Sequence, residues 1–404
     1  VSFVRRHLLA LVLVALLLAG VVFPLPPLVD AVTGAAAGNV ELARPALYVV
    51  LAPLSTLLDA LTFLSVERAL VLVGAWSIVL AALAAWRSTG PWWRRLLYAL
   101  LGPAAVVGLA AAAVLAPRPV PRLRAAGAGL GGAAITVLDY HAHSAASHDG
   151  RSGWTPQRLA AWHAVQGFDA SYVTDHNVLY TLPAETMIPL LPGVEWSVHR
   201  QHVLALGPVR EIDRAAYSGS TPKLLGLFAE LHRQGALGIA SLPEYWDNHR
   251  EDLDLFVAAG VDGFEIVNCS PKGLALDGAA RRNVIELAKQ SNLLVVGASD
   301  HHGWGKVTCV WNLSVAGAQG LQANHVVARP VALAQGDAAA WAAPVSQLWL
   351  MFRALSWPER ISWLTWIALV TIYRAVPRRE GKPGGLGILF RSLTPRPRPS
   401  QPAA

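Results

Sequence analysis

His141 and His143 stand two residues apart at the end of the apolar run 133–138, and Asp149-Gly150 follows six residues later. The run reads as a strand, where residues two apart share a face, so the two imidazoles can meet one ion. The Ser/Gly-rich turn that carries Asp149 can fold back over the same strand end. Two imidazoles and a carboxylate suit a divalent metal, because each offers a lone pair without a thiolate. An H-x-H pair by itself is a weak signal. It gains force from what recurs downstream: Thr174-Asp175-His176, Glu195 after Pro192-Gly193-Val194, and Asp300-His301-His302 after Val295-Val296-Gly297-Ala298.

These residues need elements to bring them together. Strand-like runs cover 135–138, 170–174, 202–206, 237–241, 263–267 and 293–298. Helical periodicity fits 156–166, 222–234 and 279–290, the first two opened by Thr-Pro or Pro after Thr. Alternating strands and helices predict a parallel sheet, open or closed into a barrel. Each metal-type cluster lies just past the C-terminal end of a strand, the face where α/β barrels collect their active sites.

Composition divides the chain in two. Of 404 residues, 54% are hydrophobic and 15% charged, which points to membrane spans in part of it. Of the net charge of +7, residues 374–398 supply +6, with seven basic side chains and one acid. Residues 133–330 hold 14 Lys/Arg against 19 Asp/Glu, so nothing there predicts sequence-specific nucleic-acid binding. Of 13 histidines, only His7 lies outside 133–330, a concentration that a metal site explains. Cys269 and Cys309 have no metal-ligand spacing and are read as buried free thiols.

Residues 8–29, 69–86 and 96–117 are uncharged and long enough to span about 30 Å of hydrocarbon. Residues 45–64, interrupted by Pro45, Pro53 and Asp59, make a fourth candidate. Four spans put six arginines (Arg5, Arg6, Arg68, Arg118, Arg122, Arg124) on one side and four (Arg44, Arg87, Arg94, Arg95) on the other. That count predicts a multi-pass membrane protein with a cytoplasmic central domain. Trp92 and Trp93 beside Arg94 and Arg95 read as an interfacial anchor. The expected organisation is a transmembrane region over 1–117, a linker over 118–132, a hydrolase domain over 133–330, a Trp-rich interfacial segment over 331–377 and a basic, disordered tail over 378–404. The tail's charge suits an anionic lipid surface.

Taken in order, His141-x-His143 with Asp149-Gly150, Thr174-Asp175-His176, Gly193-Val194-Glu195, His202-Val203-Leu204 and Ser299-Asp300-His301-His302 resemble the motifs of the PHP (polymerase and histidinol phosphatase) superfamily. The resemblance covers about residues 135–315. It implies a distorted (β/α)7 barrel that hydrolyses phosphoesters with two or three divalent ions (Zn, Mn, Mg or Fe). It assigns His141, His143, Glu195 and Asp300 to one ion, Glu195 as a bridge to a second held by His202, and Asp149, His176 and His302 to a third. Glu195, His202 and Asp300 would be catalytic. The substrate would be a phosphorylated small molecule such as a nucleotide or sugar phosphate, or a nucleic-acid end.

One position departs. Where the family carries Ala-His-Pro, this chain has Ser241-Leu242-Pro243, so the second ion lacks a ligand unless Glu244 or His249 replaces it. The departure keeps two alternatives open, a metal-dependent hydrolase of a non-phosphate bond and a metal-binding sensor with little turnover. Asp175 is expected to orient an imidazole or cap the strand end. Arg200, Lys272 and Lys306 are candidates for holding phosphate, and Trp154 and Trp196 for lining a substrate mouth or packing. His148, His199 and His301 are read as supporting or solvated residues, and His163, His232 and His249 as surface residues.

Overall fold

The computed structural model describes residues 2–38, 40–87, 91–125, 134–304 and 307–375. The basic tail and Lys306 therefore lie outside the described residues, as does the second half of the expected linker. The N-terminal part comprises α1 (Ser2–Val22), β1 (Val29–Asp30), β2 (Val40–Ala43), α2 (Ala46–Val50), α3 (Ala52–Thr62), α4 (Val66–Arg87), α5 (Trp92–Leu115) and β3 (Arg122–Ala125). The central part follows with β4 (Ile135–Asp139), α6 (Pro156–Gln166), β5 (Ala170–Val173), β6 (Leu190–Val198), β7 (Gln201–Leu206), α7 (Arg214–Tyr217), α8 (Thr221–Gln234), β8 (Leu237–Ser241), α9 (Trp246–His249) and α10 (Leu253–Ala258). It continues through β9 (Gly263–Asn268), α11 (Gly278–Ser291), β10 (Leu294–Ala298), β11 (Val310–Val315) and β12 (Asn324–Ala328) to α12 (Pro330–Leu333), α13 (Ala343–Arg353) and α14 (Trp357–Ala375).

Local chemistry sets the helix ends. The Thr155 side chain accepts from the Arg158 N–H and Pro156 opens α6, while Gly167 closes it at φ 92°. Asp277 caps α11 through the Ala280 N–H, and Asn292 ends it in the left-handed region.

The α/β reading holds, but the sheet is mixed. Its ten strands run β1-β12-β11-β4-β5-β6-β7-β8-β9-β10. Pairings are parallel across β4-β5-β6 and β8-β9-β10, and antiparallel on both sides of β7 and of β11. Seven uniform strand–helix repeats are therefore not seen. The β6–β7 hairpin turns on His199 and Arg200, both at positive φ (42° and 60°), as a two-residue hairpin of this twist requires.

The sheet curls until β10 comes up against β11 and β12, and asparagine side chains stand in for a backbone ladder there. The Gly297 N–H donates to Asn312 Oδ1 at 2.7 Å, and Asn312 Nδ2 donates to the Gly297 and Leu138 carbonyls at 2.7 and 3.0 Å. Asn324 Nδ2 donates to the Val295 carbonyl at 2.8 Å. Gly297 permits the approach, since a Cβ there would meet Val310 at 2.3 Å. Past the strand ends, the His143 N–H donates to the His301 carbonyl and the Asp300 N–H to the His141 carbonyl.

Several expectations change in the N-terminal part. The run 8–29 is not one span, because α1 stops at Val22 and Val29 pairs with Ala328 as the sheet's edge. The stretch 45–64 breaks into α2 and α3, neither of which can cross a bilayer alone. Asp59 on α3 is fully buried, 2.6 Å from Arg118 and 3.0 Å from Arg329, and accepts from the Tyr48 hydroxyl. Arg329 closes β12, so this carboxylate ties the helices to the barrel. Part of the expected linker is ordered as β3, paired with β2. By length and composition, Val66–Trp86 and Trp92–Leu115 are apolar enough to cross a membrane.

The cysteines are also not free thiols. Cys269, at the end of β9, forms a disulfide with Cys309, just before β11. Their spacing of 40 residues gave no sign of it.

Removing the buried carboxylate with Asp59→Ala leaves two guanidinium groups unpaired, which costs about 3–5 kcal/mol. Thermal unfolding of the full chain in detergent should show a correspondingly lower midpoint. An unchanged midpoint would show that the clamp carries no stability.

Candidate metal centre

Three strand ends and one hairpin converge on Glu195. It lies in the middle of β6, and its carboxylate is 1% exposed. Its Oε2 is 3.1 Å from His141 Nε2, 3.2 Å from His143 Nε2 and 2.9 Å from His176 Nδ1. Its Oε1 is 2.5 Å from His202 Nδ1, across the hairpin on β7. Asp300 Oδ1 lies 3.2 Å from His143 Nε2 and 3.4 Å from His302 Nδ1. Asp149 Oδ2 completes the group, 3.2 Å from His302 Nε2 and 3.4 Å from His176 Nε2. All eight residues singled out by motif are thus brought together.

The donor set fits divalent cations. The ligand atoms of His141, His143 and Glu195 lie within 4.8 Å of one another, as do those of His176, Glu195 and His202 and those of His143, His176 and His302. Both Glu195 oxygens, His176 Nδ1 and His302 Nε2 are buried without a hydrogen bond of acceptable geometry. His141 Nε2 faces His143 Nε2 at 2.9 Å while its Nδ1 reaches Glu265 Oε2 at 2.9 Å. Carboxylate oxygens and imidazole nitrogens converging at this spacing are what a cation would satisfy once the imidazoles give up their protons.

Backbone and partners hold these side chains in place. Asp300 sits at φ 46°, a strained conformation for a residue with a Cβ, which aims its carboxylate into the cluster. Gly150 lets the Asp149 turn close, because a Cβ there would lie 2.1 Å from the Ser144 carbonyl. Asp175 orients no imidazole. It accepts from the Ser144 N–H at 2.6 Å and the Ser144 hydroxyl at 2.7 Å, pinning the loop after His143.

Charge reorganises around the cluster. Burial opposes protonation of His141, yet Glu195, Asp300 and Glu265 together push its pKa well above the usual value. Burial likewise opposes His176, but Asp149 and Glu195 raise it to about 10. Burial and the neighbouring His302 hold His143 down. Against the penalty of burial, the charge of His141 keeps Glu195 and Asp300 well below the carboxylate range.

The remaining candidates separate. Leu242 is fully buried in the apolar core with Val194, Trp196 and Val203. His249 turns away, bonding Asp252 and the His199 carbonyl. Glu244 does line the cavity, a space of about 690 Å³ shared with Tyr245, Ser270, Lys272 and Trp304. The Ser270 hydroxyl donates to Glu244, whose carboxyl is pushed up by burial and by Asp300. Arg200 stays in the hairpin turn, outside the cavity lining. Trp196 is core, and Trp154 packs edge-on to His301, which is buried against Trp162. His148 is exposed beside Asp149.

Sequence reasoning missed three supporting groups. His163 is buried rather than on the surface, and its Nε2 meets Asp139 Oδ2 at 2.7 Å. Asp139 also accepts from the N–H groups of His141 and Ser299, bracing both metal-bearing loops. Glu265 holds His141 from behind and accepts from Ser241 and Asn268. An acid amid six buried residues of β9 was the available signal, since such a group is rarely left unpaired.

The sequence matches no protein-family model and no curated protein. Among solved structures the chain is similar to a proposed metal-dependent phosphoesterase from Bifidobacterium adolescentis (18% identity, 45% of this chain and 92% of that one, TM-score 0.32). It is similar to PsfC from Pseudomonas syringae (20%, 48% and 90%, TM-score 0.35). A third is the lesion-specific endonuclease PfuEndoQ from Pyrococcus furiosus (13%, 51% and 57%, TM-score 0.34).

Imidazoles that carry protons beside Glu195 and Asp149 must lose them to accept a cation, so metal uptake should release protons and affinity should rise with pH. Titration calorimetry of the full chain with Mn²⁺ or Zn²⁺, in buffers of different ionisation enthalpy, checks this. Uptake without proton release would count against the ligand set.

Proposed function

We propose that residues 133–330 form a metal-dependent phosphoesterase of the PHP type, with His141, His143, Asp149, His176, Glu195, His202, Asp300 and His302 as metal ligands. The observation that carries this reading is Glu195, whose two oxygens face four imidazoles belonging to two overlapping ligand groups. Divalent ions there would supply Lewis acidity, making a water acidic enough to attack phosphorus and countering charge on the phosphoryl oxygens.

The chain's own groups do the rest. Glu195 sets the separation of the two ligand groups. Glu265 holds the His141 ring so that Nε2 faces the cluster. Lys272 on the cavity wall offers a positive charge to a phosphate. Glu244 belongs to none of the ligand groups found among the described residues, and its raised pKa equips it to protonate a departing oxygen. Eight ligand-type residues held together despite Leu242 favour turnover over a sensor role.

The same reading extends to the membrane. α1, α4, α5 and α14 each have one end joined to the domain. His7 and Arg374 line one cavity between α1 and α14, so those helices run antiparallel. If all four cross, Arg5, Arg6, Arg87, Arg94, Arg95, Arg374 and the basic tail share the side opposite the domain. The positive-inside rule then makes that side cytoplasmic, and the Cys269–Cys309 disulfide suits an oxidising exterior. This reverses the orientation drawn from four N-terminal spans.

With Mn²⁺-loaded full chain and a panel of phosphomonoesters and phosphodiesters, Glu195→Gln should remove hydrolysis more completely than His202→Ala. Glu244→Gln should lower kcat while metal content stays constant. Equal, small losses in all three would show that the roles are misassigned. Protease added outside intact cells should cleave the domain but spare an epitope fused after Ala404; the reverse pattern would refute the orientation.

A further inference from the structure

The cavity over the metal ligands has an unusual wall. Alongside Asp149, Glu195, Asp300 and Lys272, it is lined by Val66 and Val114. Val66 is the first residue of α4, and Val114 lies in the last turn of α5, the two helices apolar enough to span a membrane. Glu195 is 1% exposed, whereas Val66 and Val114 are 52% and 39% exposed, so the cavity grades from buried charge to an open apolar rim.

Helix length fixes the depth of that rim. α5 begins with Trp92 and Trp93, exposed aromatics of the kind found at a membrane interface, with Arg94 over the Trp93 ring. At 1.5 Å per residue, Val114 lies about 33 Å along the helix from Trp92, close to the hydrocarbon thickness of ~30 Å. When Trp92 and Trp93 sit at one interface, the cavity rim therefore sits at the other, level with lipid headgroups. Further along the same helices is a second cavity of about 220 Å³, apolar throughout, lined by Leu72, Trp76 and Leu80 of α4 and by Val106 and Leu109 of α5. Leu57 and Leu61 of α3 and Leu348 of α13 also line it.

We propose that the substrate is a lipid phosphoester held in the bilayer, whose phosphate enters the metal cavity past Val66 and Val114 while its chains stay against α4 and α5. The proposal rests on the phosphoesterase reading and narrows its substrate class. In the reaction, water oxygen bonds to phosphorus as the P–O bond to the leaving alcohol breaks. A proton passes to that alcohol's oxygen, and the products are a phosphate (or phosphomonoester) and an alcohol. A freely soluble phosphoester would have no use for an apolar rim at this depth.

The test uses the full chain, loaded with Mn²⁺ and reconstituted in phosphatidylcholine vesicles containing dioleoyl phosphatidate or phosphatidylglycerol. Glycerol 3-phosphate and glycerophosphoglycerol serve as the matching soluble phosphoesters. We expect kcat/KM for a lipid to exceed that for its soluble counterpart by more than about tenfold. Val66→Asn and Val114→Asn should reduce that ratio severalfold at unchanged metal content. Soluble counterparts hydrolysed as well as the lipids, with a ratio indifferent to both variants, would overturn the lipid assignment and leave the phosphoesterase standing. No hydrolysis of any phosphoester by metal-loaded protein would overturn both.

Discussion

Burying the Glu195 carboxylate beneath four imidazoles is expensive, and much of the central fold serves to make it tolerable. A lone ion at that depth would cost several kcal/mol, so it persists only where opposite charge or a metal answers it. The answering groups come from the turns after β4 and β5, from β7 and from the turn after β10. His176 and His202 reach Glu195 through neighbouring strands, whereas Asp300 and His302 join the cluster because the curled sheet brings the end of β10 beside that of β4. Asn312 and Asn324 make that closure, and Asp139 braces the two loops on either side of it. The buried cluster and the curl of the sheet are thus one constraint seen at two scales.

Where side-chain type and local order decided the outcome, the sequence was readable. The helices 156–166, 222–234 and 279–290 carry their own start and stop signals, and the structure ends them within a residue or two of those signals. That the eight candidate residues would meet was readable because imidazoles and carboxylates recur at predicted strand ends. β6 was not, because Pro192-Gly193 interrupts what is otherwise strand sequence. The Cys269–Cys309 bond was missed for a different reason, since only the fold brings residues 40 apart into register.

The apolar N-terminal part was harder to read because hydrophobicity reports burial without saying in what. Residues 8–29 and 45–64 look apolar enough for lipid, yet Leu28 and Val29 are buried by the sheet and Ala60 and Phe63 by the barrel core. Asp59 was the clue. A carboxylate in an apolar run needs a partner, and its partners, Arg118 and Arg329, lie 59 and 270 residues away.

The pairing of β1 with β12 has a temporal side. Val29 meets Ala328, so the edge strand made first waits for the partner made about 300 residues later. At 5–20 residues per second, synthesis separates the two by roughly 15–60 s. Through that interval β1 has no ladder to join. Contacts of such separation are slow to form and leave an unpaired strand exposed in the meantime. As the edge strand whose ladder partner is β12, β1 can dock only once the rest of the sheet has been made.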